Sequence, residues 1–432
     1  MRRTLALAAL LGACDGTSGT INLDLTTAPG STVLDNVERL RLSVSNPWSV
    51  FETPRGADGG FDLAVDVEAG VSAALIVEGF DASGDLVATG MSPEVAFAPT
   101  NARLVIYVAP PMSVAAAPMT LSPPRAGVSI DALTYGAVFA GGEEAPDAPS
   151  DKLQIYNAYD HSLVAGLPVP MPRTGVAVGG APSSVYLFGG TEAEGETSGE
   201  LTRFDTTVSP NGAYQALGET PSLARTGERM VRIAAETFLV TGSPPILVDN
   251  FTLSARTDLA TLPTVGAARP DGSAAIFVGG DTGLVRFRNN TFDALPGEVA
   301  RQRAAITVLP SEQFLVVGGG PVDAPLRSVL LVDAATGMVM SRPDTLAVGR
   351  YAPAVAATPR HVVVAGGVDA SGAPIATAEI LDATTLERVA TLPIAPRVGT
   401  AAIALPTHQV LIGGGIDANE LLELFTPPPL VP

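Results

Sequence analysis

Cysteine occurs once in the 432 residues, at Cys14, tryptophan once, at Trp48, and histidine three times, at His161, His361 and His408. A lone cysteine excludes an internal disulfide. Three scattered histidines without a second cysteine leave a zinc or copper centre short of ligands. Lysine is confined to Lys152, and only 16% of residues are charged. No apolar run reaches the ~18 residues of a membrane-spanning helix. Basic residues are also scarce, 25 against 44 acidic, for a formal charge of -19. That balance argues against nucleic acid or an anionic lipid surface as partner. G-x-S-x-G, P-loop and C-x-x-C motifs are absent. The glycine-rich strings end apolar runs instead of opening helices, so they do not cradle phosphate.

What remains is alanine, valine, leucine and glycine in short apolar runs, punctuated by 45 glycines and 37 prolines. This is the composition of buried strands joined by tight turns, in a chain long enough for more than one domain. The start, Met1-Arg2-Arg3 followed by apolar Leu5 to Leu11, reads as a signal segment. Leu11-Gly12-Ala13-Cys14 resembles the lipobox of bacterial lipoproteins, which implies residues 1–13 as a signal peptide and an acylated Cys14. Residues 14–19 read as a flexible tether. The implied address is the cell envelope, on the outer rather than the inner membrane, with membrane contact only through the lipid.

Residues 20–112 alternate apolar and polar positions over short runs, such as Leu40 to Val44 and Phe61 to Val67. Turn signals such as Asp58-Gly59-Gly60 separate them. Period two in six or seven runs predicts a small β-sandwich of immunoglobulin-like or transthyretin-like type, serving as a spacer. Trp48 falls in a loop-like Asn46-Pro47-Trp48 segment and reads as an anchor packed on the sandwich edge.

From about residue 115 to 427 one unit recurs seven times: an arginine, an apolar strand, a turn, a four-residue apolar strand, Gly-Gly, then a third strand. The second strands include Ala137 to Ala140, Val185 to Phe188, Phe314 to Val317 and Val362 to Ala365. Gly141-Gly142, Gly189-Gly190, Gly279-Gly280, Gly319-Gly320, Gly366-Gly367 and Gly413-Gly414 follow six of the seven. Asp-x-x-Thr turns close several third strands, as at Asp333 and Asp382. Runs without alternation mark strands covered on both faces, as radially stacked blades require. The unit resembles the kelch repeat over about 310 residues, although its fourth strand carries leucine where that family usually has tryptophan. The resemblance implies an all-β chain with a seven-bladed kelch-type β-propeller. The last repeat lacks a fourth strand, and residues 117–122 match the pattern of that strand. They are therefore expected to complete the seventh blade and close the ring, leaving 428–432 as a tail.

Six arginines precede the glycine positions by sixteen residues: Arg125, Arg173, Arg225, Arg303, Arg350 and Arg397. Pro263 holds that place in the fourth repeat. Equivalent positions face one mouth of a propeller. Six guanidinium groups there form a candidate anion or ligand site, since the planar fork of arginine suits carboxylate, sulfate or phosphate. The competing expectation has them bonded to blade carbonyls. Kelch-type folds also include copper oxidases, whose tyrosine–cysteine crosslink cannot form with Cys14 at the N-terminus, and sugar mutarotases, which use paired channel carboxylates. No paired carboxylates recur here. The sequence thus leads to a recognition or scaffold module for a protein, peptide or glycan, an acidic one if the arginines face the ligand. It carries no catalytic residues, metal or cofactor. A carbohydrate-active enzyme of the mutarotase kind is the alternative.

Overall fold

The computed structural model describes residues 18–68, 70–96, 102–280, 283–296, 301–415 and 420–430. Residues 1–13, read as a signal segment, and Cys14 lie outside them. The chain is all-β apart from two short 3-10 turns, Val33–Asn36 and Pro221–Leu223. No helix among the described residues is long and apolar enough to cross a membrane.

A two-stranded sheet, Ser72–Ala73 with Val95–Ala96, and two larger ones form the N-terminal unit. One has four strands in the order Trp48–Pro54, Arg39–Ser45, Leu75–Phe80, Leu86–Met91. The other pairs Ser18–Thr26 antiparallel with Ala64–Glu68 and parallel with Ala102–Tyr107. The alternation read from the sequence places Leu40, Leu42 and Val44 of one sheet and Ile21, Leu23, Leu104 and Ile106 of the other in a single core. Two expectations change. Ser18 and Gly19, read as tether, already pair with Glu68 and Val67. Trp48 opens an edge strand instead of lying in a loop, and it is 42% exposed.

Seven four-stranded antiparallel sheets follow among the described residues, giving a propeller-like all-β architecture. Their first strands are Ser129–Leu133, Ala177–Gly180, Met230–Ala234, Val265–Ala268, Ala305–Val308, Ala354–Ala357 and Thr400–Ala404. Each lies beside the first strand of the next sheet, and the seventh lies beside the first, so the series closes on itself. The second strands carry the continuous apolar runs and are buried throughout in most sheets, as in Ser184–Phe188 and His361–Ala365. Both of their faces meet neighbouring sheets, which is why alternation disappears there. The Asp-x-x-Thr turns form as their chemistry requires. Asp333 Oδ1 accepts from Ala335 N at 2.8 Å, and Asp333 Oδ2 from the Thr336 hydroxyl at 2.8 Å.

The seventh sheet takes its outer strand from upstream, but at Ser113–Ala116 instead of 117–122, paired with Glu423–Thr426. Ala117 and Leu121 still donate one backbone bond each, to Leu422 O and Glu420 O. Pro118 has no N–H to continue the ladder, so regular pairing stops before it. The two units are joined tightly. Tyr107, at the end of the last N-terminal strand, is fully buried, and its hydroxyl donates to Ala116 O at 2.9 Å. Its ring packs against His161, whose Nδ1 lies 2.7 Å from the Tyr156 hydroxyl.

Candidate functional site

The six aligned arginines do not share one mouth. Arg125, Arg173, Arg350 and Arg397 are fully buried. Each guanidinium turns into its own sheet and bonds where the second strand ends and the third begins. Arg350 Nη1 donates to Gly366 O at 2.8 Å and Thr377 O at 2.9 Å, and its Nη2 lies 3.0 Å from Glu379 Oε1. Arg125 Nη1 donates to Gly141 O and Lys152 O, both at 2.9 Å, and Nη2 to Gln154 Oε1 at 2.6 Å. Arg397 pairs with Glu423 at 2.9 Å, and Arg173 with Glu200 at 3.4 Å. Burial lowers the Arg125 pKa to about 10, with Glu144 and Asp151 opposing it. Arg225, half-buried, donates to Thr241 O and Pro244 O.

The backbone of the same residues links neighbouring sheets. Arg225 O accepts from Gly190 N, Arg350 O from Gly319 N, and Arg397 O from Gly367 N. These three arginines therefore tie their own sheets with their side chains and the preceding sheets with their carbonyls. Close approach of an arginine carbonyl also explains the first glycine of three pairs, Gly141, Gly189 and Gly366. At Gly141, with φ +61°, a Cβ would sit 2.5 Å from Arg173 O.

Arg303 is the exception, and the reason is a frame shift. In the fifth repeat the glycines engaged are Gly318 and Gly319, not Gly319 and Gly320. The buried latch there is Arg301, whose Nη1 donates to Gly318 O at 3.2 Å and Ser328 O at 2.9 Å. In the seventh repeat the same one-residue slack lets Arg397 reach Gly414 O at 3.0 Å. Two residues after the latch arginines stand Gly127, Gly175, Gly227 and Gly399, all with φ between +61° and +74°. Arg303, at φ +50°, occupies that left-handed position in the fifth repeat, and Ala352, at φ +52°, in the sixth. A side chain replaces glycine there against the backbone's preference.

These left-handed residues surround the channel mouth. The cavity is about 270 Å³ and is lined by all seven lead-in segments, represented by Gly127, Gly175, Gly227, Thr264, Arg303, Ala352 and Gly399. Its charged lining residues are Glu228, Arg229 and Arg303. The Thr241 hydroxyl donates to Glu228. Arg229 is exposed and lines the mouth, and the surrounding protein partly desolvates its guanidinium. That lowers its pKa; Asp131 opposes the shift and nearby Arg303 adds to it. Asp131, on the inner strand of the first sheet, accepts from Gly180 N at 2.7 Å through Oδ2. Burial raises its pKa to about 6, against the pull of Gly180 N–H, Arg232 and Arg229.

The histidines converge on nothing, and no group of metal-ligating side chains occurs among the described residues. His161 is buried, with its pKa lowered to about 4 by desolvation. His361 is buried at the start of its strand with its ring edge-on to Phe425, and His408 sits in a left-handed turn. Sequence reasoning missed Asp131, Arg229 and Arg232. The available signals were two arginines in excess of the repeat in Arg225-Thr226-Gly227-Glu228-Arg229-Met230-Val231-Arg232, and a lone acid in the apolar strand Ser129–Leu133.

Asp131 makes stability depend on pH. An unfolded aspartate titrates near 3.9, so between about pH 4 and 6 the folded chain binds more protons than the unfolded one. Asp131 therefore contributes a fall in stability as pH rises through that window, and none above it. Urea midpoints measured from pH 4 to 7 should lose this slope in Asp131→Asn; an unchanged slope would place the carboxyl in water.

No family model matches the chain, and no curated protein matches it.

Proposed function

We propose that the chain is a non-enzymatic, lipid-anchored recognition module of a bacterial envelope, displayed on the outer membrane. Its scaffold is a seven-bladed kelch-type β-propeller, residues 115–427, preceded by a β-sandwich, residues 20–112, and its binding surface is the channel mouth. Seven sheets with inner strands in a closed sequence support the blade count, and the shared core of the two larger N-terminal sheets supports the sandwich. The observation that carries the binding reading is the mouth itself. All seven lead-in segments converge on one cavity, and the side chains of its two arginines make no hydrogen bond or ion pair with described residues.

The test is binding of the detergent-solubilised full-length chain to glycan and peptide arrays, beside a Thr264→Trp variant that fills the mouth. Binding lost in the variant is expected, whereas equal binding by both proteins sinks the reading. Lipid anchoring predicts that Cys14→Ser moves the protein from the membrane to the soluble fraction. A second reading, a sugar-converting enzyme, draws on Asp131, a channel acid poised near neutrality. Turnover of reducing sugars that vanishes in Asp131→Asn would favour it over the first.

A further inference from the structure

We propose that the channel mouth grips a single carboxylate between Arg229 and Arg303, and that Asp131 limits the site to a monoanion. This rests on reading the mouth as the binding surface. Among arginines whose side chains are described, only Arg229, Arg232, Arg303 and Arg360 make no side-chain hydrogen bond or ion pair with described residues. Arg360 lies on an exposed turn. The other three belong to the channel: Arg229 and Arg303 line the mouth, and Arg232 on the inner strand Met230–Ala234 acts on Asp131. Every other guanidinium whose side chain is described makes at least one hydrogen bond or ion pair, so the concentration of unpaired ones here is not an effect of surface crowding.

The backbone supplies a second, independent observation. Arg303 is held in a left-handed conformation at a place where four repeats have glycine. Glycine would relieve that strain, so the fold gains nothing from arginine at this position. Strain kept at a cavity wall, beside a like charge on Arg229, is what an anion would offset.

Charge counting selects the class of anion. Three channel arginines against the carboxylates of Asp131 and Glu228 leave one net positive charge, on a chain of net charge -19. A monocarboxylate neutralises it; a phosphate dianion would overshoot. A groove of about 360 Å³ adjoins the mouth, sharing Gly227, Thr264 and Arg303 and adding Tyr351. The body attached to the carboxylate can lie against that ring. Carboxylates of this size come from a sugar acid or from an acidic amino-acid side chain.

The full-length protein in detergent should be titrated calorimetrically with galacturonate and with N-acetylaspartate α-amide. Galactose and N-acetylasparagine amide serve as the neutral counterparts. At least one acid is expected to bind and neither neutral compound; whichever acid binds names the source. Arg303→Gly, the residue the backbone prefers, and Arg229→Gln should each weaken binding roughly tenfold or more while the protein melts like wild type. Asp131→Asn should tighten it. Failure of both acids, equal binding of the neutral compounds, or undiminished affinity in the arginine variants overturns the proposal. If Thr264→Trp abolishes array binding while neither acid binds, the mouth remains the recognition surface and only the carboxylate assignment falls. If the acids bind Thr264→Trp as well as wild type, the mouth itself is lost as their site.

Discussion

Replacing Arg350 by alanine is expected to cost about 3–5 kcal/mol of folding stability. Arg350 and Glu379 are both fully buried, and the guanidinium donates to both oxygens of a turn, Gly366 O and Thr377 O, besides the carboxylate. Truncation leaves Glu379 charged in the interior with Ala347 N at 2.7 Å and the more exposed Arg388 at 3.3 Å as remaining partners. It also strips buried Gly366 O of the Arg350 donor and leaves half-buried Thr377 O with Gly366 N at 3.3 Å. An uncompensated buried charge is expensive because water cannot reach it, which is why breaking such a pair costs more than the pair is worth.

The fifth repeat turns this into a discriminating comparison. Arg301→Ala should also destabilise strongly, by about 2–4 kcal/mol, through lost donors to Gly318 O and Ser328 O. Arg303→Gly should leave stability unchanged or raise it by about 0.5–1 kcal/mol, since it removes a left-handed non-glycine residue. Urea unfolding of the three variants measures this. Similar losses for Arg301 and Arg303 variants would mean that both arginines serve the fold, and the channel site would lose its main support.

A chain ending at Leu422 is expected not to yield a soluble monomer. Residues Glu423–Thr426 are the third strand of the seventh sheet, buried throughout, between Val410–Gly414 and the upstream strand Ser113–Ala116. Their loss unpairs both neighbours, removes Phe425 from the core, and deprives Arg397 of Glu423. Two unpaired strand edges then face solvent, the arrangement that promotes edge-to-edge association. A chain ending at Thr426 keeps every one of these contacts and should elute as the full-length protein does. Size-exclusion chromatography of the two truncations decides it. A monomeric, protease-resistant 1–422 chain would show that the ring does not depend on this closure.

The sheet content was legible because it rests on local rules. Apolar runs such as Val362 to Ala365 bury both faces, period-two runs such as Leu40 to Val44 bury one, and Asp333 and Asp382 fold their turns by short-range hydrogen bonds. The seven second strands fall where the repeat places them. That an upstream segment completes the last sheet was also legible, but its register was not, because register depends on which partner carbonyls Pro118 cannot answer.

The arginines mark the boundary most clearly. Sequence established that an arginine recurs at a fixed place in six repeats. The direction of each guanidinium was not there to be read, since it depends on carbonyls some 16 to 29 residues away that only the folded sheet brings within reach. The choice between Arg301 and Arg303 was harder still. Three successive glycines, Gly318 to Gly320, admit two frames of counting, and only the packing against Arg350 O selects one. Asp131, Arg229, Arg232 and Arg303 come from three different repeats, and no local pattern joins them. Composition, strand periodicity and turn chemistry act over a few residues, so the sequence by itself determined the repeat and its strands. The proposed channel site is a matter of which side chains fail to find a partner once the inner strands have closed into a series, and only the tertiary structure decides that.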